Sequence, residues 1–297
     1  MKALHRLSRL FRQIPGIKAQ DTKLADTAST TGEPTTSEVR ASAKAPDTRA
    51  EAAQKYSNIE GLDLITSISA EDGMFVGNID HYFNVGLSAL RCIRIALSTA
   101  KKERVERILD LPCGHGRVLR ILRAAFPEAQ LTACDLETSG VKFCAATFGA
   151  SPVYANEDPA RTNIRGPFDL IWCGSLLTHL DANQWQRFLE FFERLLSAGG
   201  VLVFTVHGRR GIRHLREGTL NYGLGPAEVH ATIAAYERSG FGYGNYPDRK
   251  NYGISMSSPS WVLSQLEQHA NLRVITYIEE GWDDHQDVIA TLRRGYA

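Results

Sequence analysis

Ile108-Leu109-Asp110-Leu111-Pro112-Cys113-Gly114-His115-Gly116-Arg117-Val118-Leu119-Arg120 is the stretch whose reading decides the fold. Val105, Ile108 and Leu109 form an apolar run that ends on a carboxylate, Asp110, and breaks into a glycine turn. From Arg117 onward helix formers take over, with apolar residues at Val118, Leu119, Leu122 and Phe126 in helical spacing. The pattern predicts a strand, a tight turn and the first turn of a helix. Glycine at 114 and 116 lets the backbone approach a ligand, because a Cβ there would stand in the ligand's space. The helix start adds backbone N–H groups that have no partner within the helix. The stretch reads as a nucleotide-type binding loop.

Downstream, Gln130 to Cys134 is a short apolar strand ending at Asp135. An acid about twenty residues past such glycines is placed to accept from both ribose hydroxyls. The plainer reading is a strand-end Asp that caps the helix starting at Glu137; the upstream turn favours the ribose. A helix (137–148), a strand (152–155) and the turn Asn156-Glu157-Asp158-Pro159 follow. Next come a buried strand (167–173), a helix from Asp181 to Leu196 with Asp181 as N-cap, the turn Ser197-Ala198-Gly199-Gly200 and a strand (201–206). Strands alternating with helices predict an α/β chain, a doubly wound and mostly parallel sheet.

In order, these residues resemble the class I S-adenosylmethionine-dependent methyltransferases, from about Tyr82 to Arg294. Asp110 to Gly116 is similar to the family's first motif, D-x-G-C-G-x-G. Phe168-Asp169-Leu170-Ile171 resembles its strand-four motif, and Leu196 to Phe204 its Gly-Gly strand-five motif. The resemblance implies a Rossmann-like sheet of order 3-2-1-4-5-7-6 with an antiparallel terminal hairpin strand and helices on both faces. Leu272–Tyr277 and Val288–Leu292 are the apolar runs such a hairpin requires. The implied cofactor is S-adenosylmethionine, leaving as S-adenosylhomocysteine. Carried over by position, Asp110 orients the methionine ammonium. Pro112, Cys113, Gly114 and Gly116 line the methionine and ribose segment, and Asp135 takes the ribose. Leu136, Asn156 and Glu157 face the adenine, and Cys173 completes the cofactor set. Two positions depart from the pattern: Pro112 replaces the usual first glycine, and Asn156 stands where many members carry Asp. A nicotinamide dehydrogenase is the nearest rival, but it needs a third small residue where this chain has Leu119.

Ligands of a doubly wound sheet gather at the carboxyl ends of its strands. That places the 174–179 segment, Val206-His207-Gly208 and the hairpin turn 281–286 around the transferable methyl. His207, His179 and His285 are the general-base candidates; each also has a plain structural reading, as a helix-start, strand-end or turn histidine. The insertion between strand five and the hairpin, about 208–271, carries two predicted helices, Pro226–Ser239 and Pro259–His269. Between them Phe241-Gly242-Tyr243-Gly244-Asn245-Tyr246-Pro247 and Tyr252-Gly253 read as a loop folded over a substrate. Tyr243, Tyr246, Tyr252 and Trp282 are the expected substrate contacts, with a packed Ω-loop as the plain alternative. Arg209, Arg210 and Arg213 read as an exposed basic turn. Tyr82 reads as a core aromatic or as a ring closing over the ligand.

A net charge of +1 over 297 residues gives no whole-chain reason to expect nucleic acid. No Asn-Pro-Pro-Tyr or Asp-Pro-Pro-Tyr follows strand four, so a small-molecule or glycan acceptor, methylated at oxygen, is favoured over protein or nucleic acid. A cofactor-binding scaffold without catalysis is the other alternative. The five cysteines show no CxxC spacing and read as reduced, with no metal site expected. Residues 1–54 are expected to be a basic N-terminal helix (1–18) and a disordered tether, and 55–297 the methyltransferase domain. The helix reads as a frayed surface helix, or as a weak membrane-surface contact or an organellar address. The expected location is cytoplasmic, peripheral to a membrane if that helix anchors. Oligomeric state is not legible.

Overall fold

The structure, a computed structural model, describes residues 55–295 apart from 248, so the basic helix and tether expected at 1–54 lie outside the described residues. Two short antiparallel strands, β1 (Asn58–Ile59) and β2 (Leu62–Asp63), open it and lead through an irregular strap to helix α1 (Ile79–Ala100). Then come β3 (Arg107–Asp110), α2 (Leu119–Ala125), β4 (Gln130–Asp135), α3 (Thr138–Phe148) and β5 (Ser151–Tyr154). β6 (Phe168–Cys173), α4 (Ala182–Leu195) and β7 (Leu196–Val206) complete the alternation.

An insertion follows: α5 (Arg209–Glu217), α6 (Pro226–Ser239), β8 (Phe241–Asn245), β9 (Gly253–Ser257) and α7 (Pro259–Leu266). The hairpin β10 (Leu272–Trp282) and β11 (Gln286–Arg293) closes the main sheet, whose order is β10-β11-β7-β6-β3-β4-β5. β11 runs antiparallel to both β10 and β7, while β3 to β7 pair in parallel. Counting these seven strands along the chain gives the expected 3-2-1-4-5-7-6.

The central strands are apolar on both faces because both faces are covered. Leu170, Trp172, Val201 and Val203 pack with Ala89, Ile93 and Ala96 of α1. Ile171, Leu202 and Phe204 pack with Trp185, Leu189 and Phe192 of α4. Asp181 accepts from the Gln184 N–H and Gln184 answers with its own side chain, a capping box that fixes where α4 starts.

Three local expectations are corrected. The Gly199-Gly200 turn lies inside β7, at an irregularity in its pairing with β6; a Cβ on Gly200 would press on the Phe168 carbonyl. Arg209, Arg210 and Arg213 sit on α5, a helix ended by Gly218 in the left-handed region, and not in a turn. The glycine–aromatic run is no loop: β8 pairs antiparallel with β9. Its glycines answer a neighbour, because a Cβ on Gly242 would strike the Thr232 carbonyl of α6 and one on Gly244 the Thr232 hydroxyl. The insertion has its own small core of Ile212, Leu215, Tyr222, Leu224, Ile254 and Met256.

Among the described residues no helix is long and apolar enough to cross a membrane. All five cysteines are buried free thiols.

Candidate active site

Asp110 ends β3 with 1% of its surface exposed, and neither carboxylate oxygen has a hydrogen-bond partner among the described residues. Burial, and then the nearby charge of Asp135, raise its pKa well above the ordinary carboxylate range. A buried acid left in this state is costly. A group of this kind suits a cation or a hydrogen-bond donor.

The chain then turns through Pro112, joined to Leu111 by a cis peptide bond, with Gly114 at φ +50° and Gly116 at φ +81°. A Cβ on Gly114 would meet nothing within 4 Å, so open space lies beside it, as a ligand-facing glycine needs. Gly116 differs from the expectation: a Cβ there would enter the Phe148 ring, so this glycine serves the packing of the loop on α3. Gly140 of α3 likewise leaves room for the Gly114 carbonyl.

Asp135 ends β4 and does two things. Its Oδ2 accepts from the Gly114 N–H at 2.8 Å and its Oδ1 from the Glu137 N–H at 2.9 Å. One bond grips the glycine loop; the other holds the N–H of Glu137, the N-cap residue of α3, which itself has no side-chain cap. Each oxygen keeps further lone pairs for a ligand. Burial raises the Asp135 pKa, against the pull of these backbone donors.

Leu136 beside it is 39% exposed, a large apolar surface at the rim. Asn156 and Glu157 are exposed beyond β5, and Asn156 Oδ1 already accepts from the Asp158 N–H. Cys113 and Cys173 are buried in the two core layers, and burial pushes both thiols up, Cys113 chiefly through its contact with Cys144.

The acceptor side gathers two histidines at adjacent strand ends. His179, after β6, places Nδ1 at 2.9 Å from the Gly253 carbonyl and at 3.2 Å from the Tyr246 hydroxyl. A carbonyl only accepts, so Nδ1 carries the proton and Nε2 the lone pair. The ring stacks on Tyr252, centroids 5.1 Å apart, and burial lowers its pKa to about 4.

His207, after β7, is 4% exposed, and its Nδ1 has no hydrogen-bond partner among the described residues. Tyr222 lies 4.7 Å from it and His285 5.4 Å, ring to ring. Burial first, then the charges of His285, His179 and His214, drive its pKa well below the usual histidine range. His285 itself contacts the Tyr222 hydroxyl at 3.3 Å and is held to about 4 by burial.

Two of the insertion's tyrosines contact His179. Burial pushes the Tyr252 phenol up to about 12, and its ring stacks on that of His179. Tyr246 reaches His179 and borders Gly223, the neighbour of Tyr222. Tyr243 stands apart, its hydroxyl donated to Asn245 within the hairpin.

Trp282 is not brought to this surface. Its ring is 5% exposed, packs edge-on against Trp172, and donates its indole N–H to the Val85 carbonyl at 3.0 Å. The carboxyl end of a strand put it near the site; its size and apolar surface put it in the core. Tyr82 is likewise a core ring.

Sequence reasoning missed a polar ring spanning three strand ends. The Ser175 N–H donates to Thr205 Oγ1 at 2.8 Å, Thr205 donates to Gln286 Oε1 at 2.6 Å, and Gln286 Nε2 donates to Ser175 Oγ at 3.2 Å. Ser175 has φ +57°, a strained value for a non-glycine residue. The signal was available, since Ser175 and Gln286 both lie in segments assigned to the active face. Among the described residues no group of three His, Cys, Asp or Glu is placed to hold a metal ion.

Residues 109–202, from the strand before the glycine turn through β6 and into β7, match the model of a methyltransferase domain family. That segment of the chain is similar to a methyltransferase domain. Among curated relatives is the ribosomal RNA small subunit methyltransferase C of Salmonella choleraesuis (strain SC-B67). The two are 28% identical over 156 residues, 49% of this chain and 40% of that protein. The chain spans about 40% of the length of the curated relatives it matches.

Among solved structures it is similar to the 1,6-didemethyltoxoflavin N1-methyltransferase of Burkholderia thailandensis, solved with bound 1,6-didemethyltoxoflavin and S-adenosylhomocysteine. That likeness has TM-score 0.49 and 14% identity over 86% of this chain and 94% of the other. An S-adenosylmethionine-dependent methyltransferase of Clostridium acetobutylicum ATCC 824 gives TM-score 0.47 and 15% identity over 70% and 92%. The fold assignment of the chain rests on its own strand order.

Proposed function

We propose that the protein transfers the methyl group of S-adenosylmethionine to a hydroxyl of a small-molecule or glycan acceptor, with His207 as general base. The carrying observation is the buried Nδ1 of His207, without a partner among the described residues, beside Tyr222 and His285 at the end of β7.

The residues present fit the cofactor. Asp110 offers two unsatisfied carboxylate oxygens to an ammonium, the space beside Gly114 is open, and Asp135 offers its remaining lone pairs to a ribose. Leu136 would cover an adenine face, and Asn156 with Glu157 would border its edge. S-adenosylmethionine, when bound, supplies a methyl carbon already activated by the sulfonium.

The chain's part is then alignment, exclusion of water and removal of one proton. Tyr246 and Tyr252 form a wall against the acceptor, and their rings close the space over His179. His207 stays neutral through the neutral range because burial disfavours its charged form, so a ring nitrogen keeps its lone pair for the acceptor proton. Proton removal of this kind contributes about 10²–10⁴-fold.

Arg209 pairs with Glu279, and Arg210 with Glu280 at 2.8 Å, so these two cations already have carboxylate partners. The likeness to a ribosomal RNA methyltransferase favours RNA as the second reading.

Incubation with methyl-labelled S-adenosylmethionine and separate pools of hydroxylated small molecules, oligosaccharides and structured RNA separates the two. Label in an alkali-stable ether supports the proposal. Label confined to RNA, or calorimetry showing no S-adenosylhomocysteine binding at millimolar concentration, refutes it.

A further inference from the structure

Arg120, in the second position of α2, is a large cation buried to 1% exposure without a carboxylate bonded to it. Every donor it uses goes to a neutral oxygen. Nε donates to the Gly116 carbonyl at 3.2 Å, Nη1 to the carbonyls of Ile65 at 2.8 Å and Ser67 at 2.9 Å, and Nη2 to the Tyr82 hydroxyl at 3.2 Å.

Tyr82 in turn donates to Asp72 Oδ2 at 2.6 Å, and Asp72 Oδ1 accepts the Met74 N–H at 2.9 Å. Asp72 is the buried acid that balances the guanidinium, one hydroxyl away. The rings of Tyr82, Phe83 and Phe148 surround the cation at 5.2–5.5 Å. Phe148 is the same ring that forbids a Cβ on Gly116.

One side chain thus holds both ends of an assembly: the turn carbonyl of the glycine loop, and the strap of residues 64–75 that leads into α1. That strap has little else in regular structure to hold it. Among the described residues short β1 and β2 precede it, and its apolar residues Leu64, Ile68, Met74 and Phe75 pack on α1.

We infer that Arg120 is a positioning residue that couples the docking of strap 64–75 to the shape of the Gly114–Gly116 loop, so that strap docking and cofactor binding reinforce each other. The inference rests on the proposed cofactor site for its ligand. Coupling of this kind is reciprocal: whatever factor strap docking adds to cofactor affinity, the cofactor adds to strap docking. Lysine cannot replace the group, since a single ammonium cannot reach two strap carbonyls, a loop carbonyl and a phenol with a planar fork.

Hydrogen exchange read by mass spectrometry on the full chain, with and without S-adenosylhomocysteine, tests it. In the wild type the ligand should slow exchange across 64–75 about tenfold. In Arg120→Lys that slowing should vanish and the affinity fall by a similar factor, while exchange in α4 stays as in the wild type. Tyr82→Phe keeps the ring and removes the link to Asp72; it should lose part of the slowing, which covers the case in which Arg120→Lys does not fold. Equal ligand-induced slowing of 64–75 in wild type and variants overturns the inference, as does a wild type that binds the ligand without slowing the strap.

If the wild type binds no S-adenosylhomocysteine, the cofactor reading fails by itself, and the unliganded chain decides the role of Arg120. Arg120→Lys should then speed exchange in 64–68 and in 116–118 together; unchanged exchange in either segment overturns it.

Discussion

Asp110→Asn should stabilise the unliganded protein and cripple cofactor binding, and the two effects have one cause. The carboxylate is 1% exposed with both oxygens unpartnered among the described residues. Leaving a buried polar group unsatisfied costs about 1–3 kcal/mol, and more when it is charged. Asparagine keeps the shape and removes the charge, so at pH 8 the unliganded variant should gain about 1–3 kcal/mol. For a domain of this size that is about 3–10 °C in Tm.

The bound state should lose a charge-assisted bond to the ammonium, about 1.5–3 kcal/mol, which raises the Kd for S-adenosylhomocysteine about 10- to 100-fold. The pH dependence carries a sign. The folded-state pKa of Asp110 is raised, so the unfolded chain ionises first. Its contribution to stability therefore falls as pH climbs from the ordinary carboxylate range through the folded value. That slope should be absent in the variant. Thermal unfolding from pH 5 to 8 together with calorimetry measures all three quantities. An unchanged affinity for the ligand refutes the ammonium assignment, and a lowered Tm at pH 8 refutes the claim that the carboxylate lacks a partner.

His179 has a folded pKa of about 4 against 6.5 when unfolded, so the unfolded chain takes its proton first and stability drops as pH falls from 6.5 towards 4. The loss is about 3 kcal/mol for a fully buried ring. Denaturant titrations at pH 7.5 and 4.5 should show it shrinking in His179→Phe; an identical pH slope in both proteins argues against burial as the cause. Gly116→Ala, with φ +81° and the Phe148 ring in the way, should cost about 2–4 kcal/mol in urea unfolding and loosen the loop; a loss under 0.5 kcal/mol would show that the turn relaxes freely. Once an acceptor is found, His207→Gln should lower turnover about 10²–10⁴-fold with S-adenosylhomocysteine affinity kept within about twofold. A rate within fivefold of wild type removes His207 as the base.

The main sheet was legible because it is written in local patterns that repeat. Buried strands such as Phe168–Cys173 are apolar throughout, the acids Asp110 and Asp135 end their strands, and the terminal runs around 272–277 and 288–292 need each other to form a hairpin. What stayed hidden depends on which surface a residue meets. Gly242 and Gly244 read as freedom to turn, yet they are glycines because α6 lies flush on β8, a fact carried by Thr232 ten or more residues away. Arg209, Arg210 and Arg213 read as a turn, yet they lie on α5, where the missing side chain of Gly211 makes room for the Met256 sulfur. Trp282 sits in the right segment but faces inward, which no spacing within that segment reveals. Nothing near Arg120 in sequence announces that Ile65 and Ser67 will bring their carbonyls to it.

The turn between β10 and β11 has a consequence beyond the site it borders. Trp282 bonds to the Val85 carbonyl, the Asp283 N–H to the Ser88 hydroxyl, and the Cys92 thiol to the Gly281 carbonyl, all joining residues about 190 or more apart in the chain. β11 also lies between β7 and β10, so β10 has no place in the sheet until β11 is seated. During synthesis α1 must therefore wait, one flank uncovered, while nearly two hundred residues are made. Such long-range closure makes folding slow, with chaperone demand concentrated in that interval. The same stitching makes the β10–β11 hairpin the segment whose removal should expose α1 at the far end of the sequence.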